Sequence, residues 1–257
     1  MLVACIDFEA SSLDTASARI LEAACVLWDT DLDAPVEFYS SLVTNPIIDP
    51  ETTKRITGIT VEMVDRHGKP ASLVFSQMLN YLGKAERVLG HNIRTYDGFL
   101  FENECKREGI ALPPMKIVDT MTDIIYPESM TSKKLVYLAS DHGVRDQDAH
   151  RALADTLMTL RIFRKYPLWE ILQRADEARY HVSATIPPPW FDKSSPSHKD
   201  IAKAAGFHGS KVGNEFRWEG IFLENQVKTW DLPFRTVGTK IRQPFEREEI
   251  ANESGSG

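Results

Sequence analysis

Hydrophobic and polar positions divide the first two thirds of the chain into a strand-rich start and a stretch in which strands and helices alternate. Runs rich in β-branched and aromatic residues at 2–6, 19–28 and 36–44 predict three successive strands. Turn-forming residues at 29–35 separate the second run from the third. The chain is therefore predicted to begin with a meander of three strands.

Helical periodicity dominates after residue 70. Apolar residues recur at helical spacing in several segments, which predicts helices at 72–84, 96–108, 133–143 and 149–163. Short apolar runs at 87–92 and 116–120 predict two further strands between these helices. A meander followed by alternating strands and helices predicts an α/β layer with a mixed sheet.

The last third of the chain has a different character. A helix is predicted at 168–179, and the run of prolines and serines that follows His181 indicates a linker. Beyond it the sequence predicts a short helix and then a hairpin at 215–234 that carries Trp218 and Trp230. The predicted organisation is a main domain at 1–166, a helix and proline-rich linker at 167–192, a small α+β module at 193–247 and a disordered tail at 248–257.

Composition and charge exclude several classes of protein. The three cysteines are scattered without metal-binding spacing, which predicts reduced thiols in a cytoplasmic protein and no zinc site. No apolar run is long enough to span a bilayer, and the first residues do not resemble a signal peptide. The net charge of −7 argues against nucleic-acid binding, but residues 193–247 carry 10 basic and only 6 acidic side chains.

Carboxylates occur where the pattern predicts strand ends and helix starts. Asp7 and Glu9 follow directly on the first apolar strand, and Asp97 opens the helix that follows another short strand. Asp155 lies inside an otherwise apolar helix, with His150 at its start. An aspartate in such a position is costly to bury unless it is paired or binds a metal.

Four segments together carry a family resemblance. IDFEASSLD at 6–14, RITGITVEMVD at 55–65, GHNIRTYDGFL at 90–100 and HRALADT at 150–156 resemble the motifs of the DEDDh group of DnaQ-like 3′–5′ exonucleases. The resemblance implies a ribonuclease-H-like fold with a central five-stranded mixed sheet flanked by helices. It also implies metal ligands at Asp7, Glu9, Asp97 and Asp155 and a general base at His150.

Substrate contacts are predicted around the first and third motifs, at Phe8, Ala10, Ser11 and Asn92. For Asn92 the alternative is a role in capping the strand end. The HNxxxYD spacing at 91–97 is similar to that of the TREX-like branch of the family, which makes a homodimer worth testing.

The chemistry of phosphodiester hydrolysis suits this set of residues. Two Mg²⁺ or Mn²⁺ ions can activate water and stabilise the leaving oxygen, and both ions prefer carboxylate oxygens. Together with this chemistry, the resemblance implies an exonuclease that releases nucleoside monophosphates from the 3′ ends of DNA, single-stranded or frayed. The alternatives are an exoribonuclease, a proofreading subunit and a non-catalytic nucleic-acid-binding scaffold on the same fold.

The aromatic residues near the carboxyl end leave three interpretations open. In the first, a compact hydrophobic core is formed by Trp190, Phe216, Trp218 and Trp230. In the second, an exposed ring stacks on bases beside the nearby lysines and arginines. In the third, residues 193–247 bind a partner protein.

Overall fold

The computed structural model describes residues 1–47, 49–130, 132–144, 151–187, 191–212 and 215–246, with the backbone alone at 211, 212, 215 and 216. Within them the chain forms two compact units. Unit 1 comprises Met1–Ala175 together with residues from Gln243 onward, and unit 2 comprises Asp176–Arg242.

Unit 1 is built on a five-stranded mixed sheet. Its strands are β1 (Leu2–Ala10), β2 (Ile20–Asp29), β3 (Ala34–Leu42), β4 (Arg87–Gly90) and β5 (Ile117–Asp119), in the spatial order β3-β2-β1-β4-β5. The first three strands pair antiparallel, whereas β4 runs parallel to β1 and β5 parallel to β4. The mixed α/β sheet flanked by helices that the sequence predicts is confirmed.

Eight helices of the described part of unit 1 surround the sheet. They are α1 (Pro50–Thr57), α2 (Val61–His67), α3 (Ala71–Leu82), α4 (Asp97–Arg107), α5 (Thr120–Asp123), α6 (Leu135–Asp141), α7 (Ala152–Phe163) and α8 (Leu168–Asp176).

The central strand β1 separates two hydrophobic clusters because successive side chains of a strand point to opposite faces. Ala4, Ile6 and Phe8 face a cluster that includes residues of α3 and α4. Val3 and Cys5 face a second cluster with residues of α7 and α8. The period of two therefore directs Asp7 and Glu9 toward the α7 side.

Unit 2 is an antiparallel sheet covered by two helices. Its elements, in chain order, are β6 (Arg179–Thr185), α9 (His198–Ala204), β7 (His208–Val212), β8 (Glu215–Leu223), α10 (Glu224–Thr229) and β9 (Arg235–Lys240). The spatial order is β7-β8-β6-β9, which is the βαββαβ arrangement of ferredoxin-like domains. Its core contains Val182, Phe207, Trp218 and Phe222, with Trp230 packed against them.

Packing of Trp218 and Trp230 in this core agrees with the first of the three interpretations of the carboxyl-terminal aromatics. The side chains of Trp190 and Phe216 lie outside the described residues, as does the predicted tail at 248–257.

The structure differs from the sequence prediction at two places in unit 2. Residues 179–185, predicted within a helix and linker, form β6, which pairs with both β8 and β9. The hairpin predicted at 215–234 is wrong: β8 pairs with β6 and β7, and α10 follows it. Gln226 accepts the Leu223 amide hydrogen at 3.0 Å, and Lys228 pairs with Glu224 one turn away at 2.8 Å. These local contacts stabilise a helical turn where alternation suggested a strand.

Across the described residues, no helix combines the length and the hydrophobicity needed to cross a membrane.

Candidate metal centre

Three carboxylates meet where β1 ends. One oxygen each from Asp7, Glu9 and Asp155 lies within 4.8 Å of the others. Asp7 and Glu9 reach this position because they share a face of β1, and Asp155 projects from the first turn of α7. Glu9 is buried, with 8% of its surface exposed, whereas Asp7 and Asp155 are half-buried and stay accessible from solvent.

Asp97 approaches the same strand from another direction. It is the first residue of α4 and is 6% exposed. Its carboxylate accepts hydrogen bonds from its own amide and from the amide of Phe8, which lies between Asp7 and Glu9. Asp97 is thus fixed against β1 and interacts electrostatically with Asp7, although it is not a member of the group of three.

The electrostatics of the cluster favour bound protons or a bound cation. Burial, and then repulsion by Asp97, Asp155 and Glu9, raises the pKa of Asp7 well above its ordinary value. Burial, and to a lesser extent repulsion by Asp155 and Glu22, raises the pKa of Glu9 to about 8. Burial, and to a lesser extent repulsion by Asp119, raises the pKa of Asp97 to about 7. Buried like charges resist ionisation unless a cation offsets them.

The donor set suits a hard divalent cation. Asp7, Glu9, Asp155 and Asp97 offer only carboxylate oxygens, which are the ligands that Mg²⁺ and Mn²⁺ prefer. The three cysteines are buried as free thiols and are not part of the cluster.

The loop after Glu9 is closed by backbone and side-chain contacts. The β-ladder shifts register between Glu9 and Ala10, where the strand leaves its regular pairing. The Ser11 hydroxyl accepts the Arg19 amide hydrogen at 2.9 Å, and the Ser11 amide donates to the Arg19 carbonyl at 3.0 Å. The hydroxyl of Tyr96 donates to the Ser12 carbonyl at 2.6 Å, which joins this loop to the start of α4.

The structure places two of the predicted substrate residues in other contacts. The Phe8 side chain is 5% exposed and stacks on Phe101 with ring centroids 5.3 Å apart, which favours a packing role over substrate binding. Asn92 adopts a positive φ of 69°, and its amide donates to Asp119 at 2.9 Å. Its side-chain oxygen accepts the Thr95 hydroxyl, which favours a role in shaping the junction between β4 and α4. Substrate contacts at Ala10 and Ser11 stay predictions.

His91 lies at the same junction and is held as a neutral side chain. Its Nδ1 is 2.8 Å from the Thr120 hydroxyl, and its Nε2 is 2.8 Å from the Lys133 carbonyl oxygen. Burial lowers the pKa of His91 to about 4. The predicted general base, His150, lies outside the described residues.

Motif reasoning did not identify Glu22 and Arg151. Glu22 lies directly opposite Glu9 in the β1–β2 ladder and is 2% exposed. The Arg151 guanidinium donates to both of its carboxylate oxygens, at 2.7 and 2.9 Å. The sequence signal that could have identified Glu22 is its position as a single acid inside an otherwise apolar strand.

Comparison with solved structures places the fold. Exonuclease I of E. coli in complex with a dA16 oligonucleotide matches with a TM-score of 0.60 at 14% identity, covering 88% of this chain and 64% of that one. Exonuclease I from Methylocaldum szegediense matches with a TM-score of 0.57 at 18% identity, covering 73% and 48%. A 3′-exonuclease that recognises the histone mRNA stem-loop matches with a TM-score of 0.53 at 19% identity, covering 64% and 80%.

The chain spans about half the length of exonuclease I structures that it matches, 48% in one of them. No curated protein sequence is significantly similar to it. The RNase_T family, described as exonuclease, matches residues 4–163, which include every motif that suggested the resemblance. The chain therefore belongs to the RNase_T exonuclease family.

Proposed function

We propose that this protein is a metal-dependent 3′–5′ exonuclease that releases nucleoside monophosphates from nucleic-acid ends. The observation that carries the proposal is the group of Asp7, Glu9 and Asp155, whose oxygens lie within 4.8 Å of one another in a chain of an exonuclease family. Carboxylates held this close together are costly to keep ionised unless a cation binds between them.

Asp7, Glu9, Asp155 and Asp97 would hold two Mg²⁺ or Mn²⁺ ions. Such a pair supplies an activated water and stabilises the charge that develops on the leaving 3′ oxygen. The protein would hold these ligands in position. Strand β1 positions Asp7 and Glu9, helix α7 positions Asp155, and two amide hydrogen bonds orient Asp97. His150 would accept the proton of the attacking water, since imidazole titrates near neutral pH.

The proposed substrate is single-stranded or frayed DNA. Support comes from the structural similarity to exonuclease I, which has been solved with dT13 and dA16 oligonucleotides. The similarity to the 3′-exonuclease that recognises a histone mRNA stem-loop supports RNA as the second candidate. A homodimer, or a protein partner bound through residues 193–247, stays a prediction.

The test is digestion of matched single-stranded DNA and RNA oligonucleotides labelled at the 5′ end, with Mg²⁺ or Mn²⁺. We expect a ladder that shortens from the 3′ end on DNA, and no ladder in EDTA. Asp7→Asn should abolish cleavage because it removes a ligand while conserving side-chain size. Asp65→Asn, which changes an exposed acid of α2, should cleave like the wild type.

Each alternative has its own result. Shortening of RNA alone would move the protein to RNA processing. Wild-type rates in Asp7→Asn would refute the assignment of the site. Absence of cleavage with retained binding of the oligonucleotides would indicate a non-catalytic scaffold. For His150→Ala we expect a loss of rate of about 10²–10⁴ at neutral pH, and a loss below threefold would show that another group is the base.

A further inference from the structure

The chain returns to unit 1 after unit 2, and residues Gln243–Glu246 form what we call the return segment. Phe245 of this segment is 3% exposed and belongs to the cluster formed by β1, α3 and α4. Its amide donates to Glu102 of α4 at 2.5 Å, and its carbonyl accepts the Met115 amide hydrogen at 3.3 Å. The return segment is therefore part of the folded core of unit 1.

Pro244 lies against the start of α4. A Cβ atom on Gly98 would come within 2.5 Å of the Pro244 Cγ and 2.7 Å of the Ile93 carbonyl oxygen. Only glycine allows so close an approach without displacement of the backbone. Because Gly98 follows Asp97 directly, Pro244 packs on the helical turn that carries this carboxylate.

A second line of contacts leads from Phe245 to β1. The Phe245 ring meets the Phe101 ring edge to face, with centroids 6.4 Å apart. Phe101 in turn stacks on Phe8, whose amide donates to Asp97. Phe8 also lies between Asp7 and Glu9, so the aromatic column ends at the strand that holds two of the carboxylates.

A third contact runs through Arg94. Its guanidinium donates to the Gln243 side chain at 2.7 Å and to the buried Asp123 at 3.0 Å. The Arg94 amide donates to Asp119 at 3.1 Å, and Asp119 also accepts the amide hydrogen of Asn92, in the turn that leads from β4 to Asp97. The return segment thus reaches the surroundings of Asp97 by packing and by hydrogen bonds.

We infer that the return segment is a positioning element of the metal centre, in which Pro244 and Phe245 hold the start of α4 against β1. This inference rests on the proposed function insofar as it takes Asp97 and the β1 carboxylates as metal ligands. The return segment lies outside residues 4–163, so the match to the family assigns it no role. Groups that orient metal ligands from behind typically affect metal affinity by 10–100-fold.

The experiment compares chains that end after Arg242 and after Glu246. The first lacks the return segment, and the second lacks only residues 247–257. Within the full chain, Phe245→Ala removes the aromatic contact. Ile59→Ala serves as the control, because it removes a fully buried side chain from the separate cluster of Leu21, Ile59 and Val64.

Mn²⁺ binding is measured by electron paramagnetic resonance at a temperature where circular dichroism shows each variant to be folded. We expect about tenfold weaker binding for Phe245→Ala and for the chain that ends after Arg242. The chain that ends after Glu246 and Ile59→Ala should bind Mn²⁺ like the wild type, even where Ile59→Ala melts earlier.

Wild-type affinity in Phe245→Ala would overturn the inference, and so would an equal loss in Ile59→Ala. If Phe245→Ala does not fold, Phe245→Leu takes its place, since leucine fills part of the space without the edge-to-face contact. Absence of Mn²⁺ binding by the wild type would instead refute the proposed function, so the two failures are distinguishable.

Discussion

At the scale of single residues, Glu22 shows how a side chain outside the motifs supports the site. Helix α7 begins without a capping side chain of its own. Glu22 of β2 accepts the Ala152 amide hydrogen at 3.2 Å and also holds Arg151 through both carboxylate oxygens. It therefore caps α7 from the neighbouring strand, one turn before Asp155.

Replacement of Glu22 by glutamine should destabilise the protein by about 1–3 kcal/mol. The amide oxygen of the glutamine would still accept a hydrogen bond, but the charged partner of Arg151 would be lost. Urea unfolding of Glu22→Gln, Arg151→Met and the double variant measures the effect. If the two single losses add in the double variant, the two side chains are not coupled and the ion pair does not contribute to stability.

Glu9 allows a prediction about pH. Its pKa is about 8 in the folded protein, against an ordinary value of 4.5. The metal-free folded state therefore binds this proton more tightly than the unfolded state does. The contribution of Glu9 to stability is fully present below pH 4.5 and is lost as the pH rises through 8.

Glu9→Gln should thus be more stable than the wild type at pH 8 in EDTA, by at most about 5 kcal/mol. The two proteins should have similar stability near pH 4. Thermal melts in EDTA at both pH values measure the difference, and saturating Mn²⁺ at pH 8 should reverse the order because the wild type regains a ligand. A difference in stability between the two proteins that stays constant at all pH values would contradict the assigned pKa of Glu9.

At the scale of elements, the sequence predicts the strands and helices in which hydrophobic residues recur at regular spacing. The five strands of the main sheet and helices α3, α4 and α7 follow directly from it. The period of two in β1 also places Asp7 and Glu9 on one face. The pairing of Glu22 with Arg151 depends on strand register and on the position of a helix more than a hundred residues away, which periodicity does not encode.

Two short helices escaped prediction because their polar segment has little apolar periodicity. Helices α1 and α2 are each capped by the residue that precedes them: Asp49 accepts the Thr52 amide hydrogen, and Thr60 accepts that of Met63. Pro50 at the first position of α1 strengthens the signal. Capping residues, considered apart from periodicity, would have located both helices.

The cap of α2 can be tested directly. Thr60→Ala removes the oxygen that accepts the Met63 amide hydrogen at 3.2 Å and should cost about 1 kcal/mol. Thr60→Ser retains the hydroxyl and should cost much less. Chemical denaturation of both variants provides the comparison, and equal losses would show that the methyl group of Thr60, and not its cap, stabilises α2.

At the scale of the whole molecule, unit 2 is an insertion whose two ends are held together. Its first and last strands, β6 and β9, pair antiparallel, with Tyr180 opposite Lys240. The Ile241 amide donates to the Arg179 carbonyl at 2.8 Å, so the pairing extends almost to the return segment. The sequence could not indicate this closure, because it joins residues on both sides of a proline-rich stretch.

Folding of unit 2 should therefore assist docking of the return segment. With unit 2 unfolded, docking would have to close a loop of its full length, which costs about 4 kcal/mol of chain entropy. Phe207 is 1% exposed and packs on Phe222 and Trp230, with ring centroids 4.7 and 5.4 Å away. Phe207→Ala should destabilise unit 2 by about 3–5 kcal/mol.

Hydrogen exchange read by mass spectrometry separates the consequences for each segment. In Phe207→Ala, we expect faster exchange in β6 and β8 and also in residues 243–246, while β1, β4 and β5 keep their protection. Ile59→Ala is the matched control and should leave the exchange of β6 and β8 unchanged. Unchanged protection of residues 243–246 in Phe207→Ala would show that the return segment docks without help from unit 2. Faster exchange there would make the stability of unit 2 a determinant of how the return segment docks, and through that segment a determinant of the metal centre.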